Sequence, residues 1–274
     1  MRKFIYRYEV MSTPCELIIF TQTKDKADSV ADVILKESKR LEKKYNYYSE
    51  DSVVSKLNTR ENLVLDSESK TILQRAQKYY KLTDGIFDIT IATIKDIYRF
   101  SDNLDEFESK KEVLKPYIGC EHFKIKKDRL LFDNIYTKID LGGFVKEYAV
   151  DRVVSILKKN KISSALVNYG GDIYALGRKP NGEKFVIGIK DPKDKTKFAT
   201  YIEIENEALT TSASYERGYD IAGRRYSHII SAKENIDTPN SVTVISPSCV
   251  ESGIYSTSLM VDKTIKTANR VVFL

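Results

Sequence analysis

The chain has 274 residues, with 42% hydrophobic, 11% aromatic and 31% charged side chains. At this length folding removes about 75% of the unfolded surface from water, so a core forms without staples, and these proportions exclude a disordered or fibrous chain. The net charge of +6, from 45 basic and 39 acidic residues, is small and spread along the chain, so nucleic acid is not expected as a partner.

In chain order, residues 3–22 read as a strand pair broken at Met11-Ser12-Thr13-Pro14. Phe4, Tyr6 and Tyr8 alternate with polar residues, and Cys15 to Phe20 follow as a buried run. Residues 24–47 switch to helical spacing, with Ala27, Val30, Val33, Ile34 and Leu41 on one face. Ser52 is placed to cap a short helix through Leu57. A second helix is predicted over 66–81, ended by Thr83-Asp84-Gly85, and a third over 91–100. Strands flank a turn near Asp128. Lys138 to Gly143 reads as a strand ending in two glycines, followed by a helix over 148–158. Residues 164–168 read as a strand ending at Gly170-Gly171-Asp172. Strand-like runs at 185–189, 201–204 and 242–246 and a helix over 252–261 complete the chain. Strands and helices mix without a βαβ rhythm, which predicts an α+β fold in one unit over 1–274.

Cys15, Cys120 and Cys249 share no CxxC spacing, which argues against a disulfide framework and a structural zinc site. No run approaches the roughly 18 apolar residues of a membrane span. Residues 1–9 lack the apolar region and cleavage pattern of an export signal. The expected location is cytoplasmic, or periplasmic if a leader has been removed.

Three segments carry chemistry. Asp140-Leu141-Gly142-Gly143-Phe144-Val145-Lys146 is a glycine turn leading into a helix. It is either a plain tight turn or a place where backbone N–H groups and Lys146 meet a phosphate. Tyr169-Gly170-Gly171-Asp172 repeats the arrangement, with Asp172 either a ligand or the residue that closes the turn. His228, in Tyr226-Ser227-His228-Ile229-Ile230, is either a candidate base or a hydrogen-bonded structural histidine. His122 reads as an exposed strand residue.

Together these segments resemble the ApbE family of FAD:protein FMN transferases, in the family's order and over nearly the whole chain. Met11-Ser12-Thr13 is similar to its Met-Gly-Thr, and Tyr48 to Asn58 to its Tyr-x-x-x-Ser…Leu-Asn loop. Asp84-Gly85-Ile86-Phe87-Asp88 resembles Asp-Gly-Ala-Phe-Asp. Asp140 to Asp151 resembles Asp-Leu-Gly-Gly-Ile-Ala-Lys-Gly-Tyr-Ala-Val-Asp, and Leu166 to Gly177 is close to Leu-Val-Asn-x-Gly-Gly-Asp-Ile-Tyr-Ala-Leu-Gly. Thr211 to Tyr215 and Ser227-His228-Ile229 follow Thr-Ser-Gly-x-Tyr and Ser-His-Ile.

The resemblance implies FAD held in a cleft between two lobes, Mg²⁺-dependent cleavage of its pyrophosphate, FMN transfer to a Ser/Thr hydroxyl of a flavoprotein acceptor, and release of AMP. By the same resemblance Met11, Tyr48, Ile86, Phe87, Asp88, Asp140, Lys146 and Ile229 fall on flavin-nucleotide positions. Gly143, through its carbonyl, and Thr257 fall on the metal, and His228 on the base for the acceptor hydroxyl. The chain departs from the pattern at Gly253, where the family carries an Asp one helical turn before the threonine. It departs also at Glu147 for a glycine, at Ala213 for a glycine, and at Ser231-Ala232-Lys233 for Asp-Pro-Arg. The lost carboxylate leaves a non-catalytic FAD-binding protein, or an FAD pyrophosphatase, as alternatives.

Overall fold

The computed structural model describes residues 1–100, 103–194, 196–213, 218–221, 224–227 and 239–274. The chain opens with a hairpin, β1 (Arg2–Val10) and β2 (Thr13–Thr21), then runs through α1 (Lys24–Tyr45), α2 (Val53–Asn58), α3 (Ser67–Leu82), α4 (Ala92–Phe100) and α5 (Leu104–Leu114). A small hairpin, β3 (Phe123–Lys126) and β4 (Arg129–Phe132), precedes α6 (Gly142–Lys159). Next come β5 (Ala165–Tyr169), β6 (Asp172–Leu176), β7 (Phe185–Lys190), β8 (Phe198–Ile204) and β9 (Glu207–Ala213). The hairpin β10 (Gly218–Ile221) and β11 (Arg224–Ser227) leads to β12 (Ser241–Ser246), α7 (Cys249–Val261) and β13 (Arg270–Phe273).

Among the described residues, seven strands form one sheet in the order β1-β2-β5-β6-β9-β12-β13. Every neighbouring pair in it is antiparallel, as an α+β chain without parallel crossovers requires. Both faces are covered, and β6 shows how the period of two serves each. Tyr174 and Leu176 enter the core under α1, α6 and α7, whereas Ile173 and Ala175 pack beneath the β7–β8 hairpin with Phe185, Ile187 and Ile204. The parity puts Asp172 on the helix side. In β9 it puts Ala208, Thr210 and Ser212 on that side too. A third cluster, Ile94, Tyr98 and Phe107, joins α4 to α5.

Helix starts follow their caps. Thr23, Ser52 and Asp66 accept N–H bonds from Lys26, Ser55 and Ser69 at 3.4, 3.0 and 2.8 Å. Four expectations need correction. Cys15 to Phe20 alternates between buried and half-buried, because only one face of β2 meets the helices. Val33 is 47% exposed, off the buried stripe of α1. Residues 138–141 form no strand, and α6 begins at Gly142 rather than at 148. His122 closes a one-turn 3-10 helix and pairs with Asp133 at 3.2 Å. No helix of the described residues is long and apolar enough to cross a membrane.

Candidate active site

Residues 138–141 alternate but have no strand beside them; side chains take the ladder's place. Asn58 donates from Nδ2 to the Ile139 carbonyl at 2.9 Å and accepts the Ile139 N–H at 2.8 Å. Asp140 N–H donates to the Ile89 carbonyl at 2.8 Å. So anchored, Asp140 Oδ1 accepts the Gly142 N–H at 2.9 Å, while Oδ2 pairs with Lys95. Lys95 Nζ lies 4.8 Å from the Tyr47 ring centroid and 5.0 Å from that of Tyr48, within cation–π range. Burial works against its charge, yet Asp140 and Tyr48 hold its pKa above the ordinary lysine value. The Tyr48 ring is 56% exposed and meets Tyr47 edge-on at 5.2 Å.

The segment before α4 buttresses this corner. Ile86 and Phe87 are buried, with the Phe87 ring 6.4 Å from Phe144 of α6. Asp88 accepts from Thr90 N–H at 2.7 Å and from its hydroxyl at 2.6 Å, capping the turn Ile89–Ile91. Burial still raises the Asp88 pKa.

A second corner forms where two turns meet. Met11 and Ser12 adopt φ of 57° and 52° to close the β1–β2 hairpin, and Met11 N–H donates to Glu42 at 2.6 Å. Beside them Gly170, at φ 61°, donates to the Pro14 carbonyl at 3.0 Å; a Cβ there would collide with Thr13. Glycine is therefore required for conformation and for space. Asn168, not Asp172, closes this turn by accepting the Gly171 N–H at 2.9 Å. Asp172 instead turns inward, 2.7 Å from Lys146 Nζ. That ion pair joins the two twin-glycine segments, 142–143 and 170–171.

The seam between α6 and α7 carries the remaining candidates. Thr257 and Ser256 share Ser212 of β9 at 3.1 and 2.9 Å, and Ser256 donates to the Gly253 carbonyl at 3.0 Å. Glu147 is 7% exposed, and its Oε2 has no hydrogen-bond partner among the described residues. Burial, and then the nearby Asp172 charge, push its carboxyl up to about 7. Glu251 is engaged elsewhere, accepting from Asn269 at 3.1 Å. His228 and Ile229 lie outside the described residues.

The profile of the ApbE family matches residues 11–271. This chain belongs to the ApbE family. Curated relatives named FAD:protein FMN transferase include those of Vibrio cholerae and Escherichia coli. The first is 28% identical over 78% of this chain and 67% of its own length, the second 25% identical over 78% and 65%. The chain thus spans about two thirds of the curated relatives it matches. A crystal structure of the ApbE protein of Thermotoga maritima superposes with a TM-score of 0.84 at 28% identity, covering 95% of this chain and 87% of that one. The flavin transferase ApbE of Vibrio cholerae gives 0.83 at 22%, covering 99% and 97%, a likeness of fold.

Lys95, Asn58, Glu42 and Ser212 escape a local reading of this ApbE chain. Asn58 and Ser212 stand only as members of the Leu-Asn and Thr-Ser motifs, with no role attached, and Lys95 shows as a charged break, Lys95-Asp96, in the mostly apolar stretch from Ile91 to Tyr98. No three His, Cys, Asp or Glu side chains of the described residues converge as a metal-binding group. A hard cation that keeps most of its waters needs fewer charged ligands than that. The orphaned carboxylate oxygen of Glu147 between α6 and α7, with the Thr257 hydroxyl on α7, suits such an ion.

Proposed function

We propose that the chain is an FAD:protein FMN transferase, which binds FAD in a cleft, cleaves its pyrophosphate, passes FMN to a Ser/Thr hydroxyl of a flavoprotein acceptor and releases AMP. The observation that carries this reading is the Lys146–Asp172 pair, which draws both twin-glycine segments together within a member of the ApbE family. Backbone that close, at the start of α6, suits a pyrophosphate. The exposed Tyr48 ring suits stacking on a flat heterocycle. Met11, Ile86, Phe87 and Ile229 would frame the nucleotide, with Asp88 and Asp140 as polar contacts and Lys146 as a phosphate charge.

His228 would take the proton of the acceptor hydroxyl as its oxygen attacks the FMN phosphorus. The bond from that phosphorus to the bridging oxygen breaks, and AMP leaves with the bridging oxygen. Mg²⁺, when bound, offsets the negative charge that builds on the phosphate oxygens. The Gly143 carbonyl and the Thr257 hydroxyl would hold it.

Incubation with FAD, Mg²⁺ and a Ser/Thr acceptor peptide tests the reading: the peptide should gain one FMN and AMP should appear in equal amount. His228→Ala should slow transfer by about 10²- to 10⁴-fold and leave FAD affinity unchanged; a large loss of binding would move His228 to the nucleotide. Gly253 favours a second reading, that of an FAD carrier. Bound FAD without AMP would establish it, and AMP formed equally without acceptor would indicate a pyrophosphatase.

A further inference from the structure

At Gly253, α7 turns bare backbone toward α6. A Cβ built there would lie 2.5 Å from Cγ and 3.0 Å from Oε1 of Glu147. The glutamate therefore fills the volume that a side chain at 253 would claim. Thr257 stands one turn further along the same face of α7, and Glu147 stands one turn after Gly143 on α6. The four positions make two i,i+4 pairs on helices that pack against each other.

The charge is as telling as the shape. Asp172, the neighbouring acid, has the Lys146 ammonium 2.7 Å from its Oδ2 as a counter-charge, although that oxygen too lacks a well-aligned hydrogen bond among the described residues. Glu147 Oε2 is buried with no donor among the described residues. A buried carboxylate oxygen without a partner, beside a second acid, is costly unless a cation reaches it.

We infer that Glu147 and Gly253 are an exchanged pair, in which Glu147 supplies from α6 the charged oxygen of a divalent-cation site shared with Thr257 and the Gly143 carbonyl. The family pattern draws that carboxylate from residue 253 on α7. The longer glutamate side chain suits a ligand that crosses from the adjacent helix. A carboxylate, a hydroxyl, a carbonyl and retained waters form a hard-oxygen set appropriate to Mg²⁺. The inference rests on the transferase reading for its ion, and concerns only which residue holds it.

Mn²⁺ binding to the full chain, followed by electron paramagnetic resonance with and without saturating FAD, tests it without reference to turnover. Glu147→Gln keeps the shape and removes the charge; it should weaken Mn²⁺ binding by at least about tenfold, a loss that even outer-shell substitutions cause. FAD binding without metal should stay unchanged. Gly253→Asp alone meets Glu147 and should not tighten Mn²⁺ binding. The double variant E147G/G253D returns the carboxylate to α7 and should recover most of the affinity lost in E147Q, a strongly non-additive outcome. Wild-type affinity in E147Q, no Mn²⁺ bound by the wild type in either arm, or a folded double variant without recovery would each overturn the exchange. Mn²⁺ held through Glu147 in a protein that transfers no FMN would overturn the transferase reading alone and leave this site standing.

Discussion

Glu68 and Glu147 are two glutamates withdrawn from solvent in opposite ways. Glu68, in the first turn of α3, faces α1 and α6. Its oxygens accept from Arg40 at 2.7 and 2.9 Å, Lys44 at 2.7 Å, Tyr148 at 3.3 Å and Tyr45 at 3.4 Å. Burial opposes ionisation there, but those donors hold the carboxyl down at about 2. Glu147 meets burial and Asp172 and is pushed up to about 7. The seam around Glu68 is electrostatically complete, whereas around Glu147 one cation, Lys146, stands for two acids and is ion-paired with Asp172, and Glu147 Oε2 has no hydrogen-bond donor among the described residues. An acid that the fold leaves unmatched is the one to associate with a ligand.

The largest break in that contrast should come from Gly253→Asp. It overfills the seam and adds a second acid, and should cost more than about 3 kcal/mol in urea unfolding; a loss below about 1 kcal/mol would mean that α6 and α7 move apart easily. Glu68→Gln should destabilise by about 2 kcal/mol through lost charge-assisted bonds. Glu147→Gln, measured at pH 8 with chelator, should instead stabilise by about 1–2 kcal/mol, since an unmatched charge disappears. Equal signs for the two variants would erase the distinction.

The pH dependence follows from the directions of the shifts. Glu68 is held below its ordinary value of 4.5, so its contribution is complete above that value and is lost as pH falls toward about 2. The stability gap between wild type and E68Q should close over that window; a gap constant with pH would deny the pairing. The smallest effect should be Thr257→Val, about 1 kcal/mol for one hydroxyl bond to Ser212. A much larger loss would give Thr257 a packing role beyond that bond.

Local pattern carried the fold far. Ala27, Val30, Ile34 and Leu41 are all buried in α1 as their spacing requires, the cap Ser52 sits where the sequence puts it, and Asp66, read as the first residue of its helix, caps α3 instead. Ile139 and Leu141 are buried as an alternating strand would have them. Alternation reports which side chains face inward, but not what satisfies the backbone; Asn58 does that here, from far along the chain. The glycines at 170–171 were readable as a turn, because φ near 60° at Gly170 is a local demand, whereas Gly142 and Gly143 open α6. The joining of the two segments by Lys146 and Asp172 was not readable, nor was the contact of Glu147 with Gly253. Both are meetings of distant residues, which neither composition nor period encodes.

Asp151 of α6 accepts the N–H groups of Cys249 at 2.7 Å and Val250 at 3.2 Å, so α7 is capped from its neighbour as well as by its own Ser248. The first turn of α7 therefore cannot fray alone: releasing those amides breaks the tie between the helices. Their hydrogen exchange should report a shared opening of both helices, not the shallow breathing of a helix end. An ion lodged in the seam would then leave at the pace of that rarer event, and residence time, more than affinity, would reflect the cap.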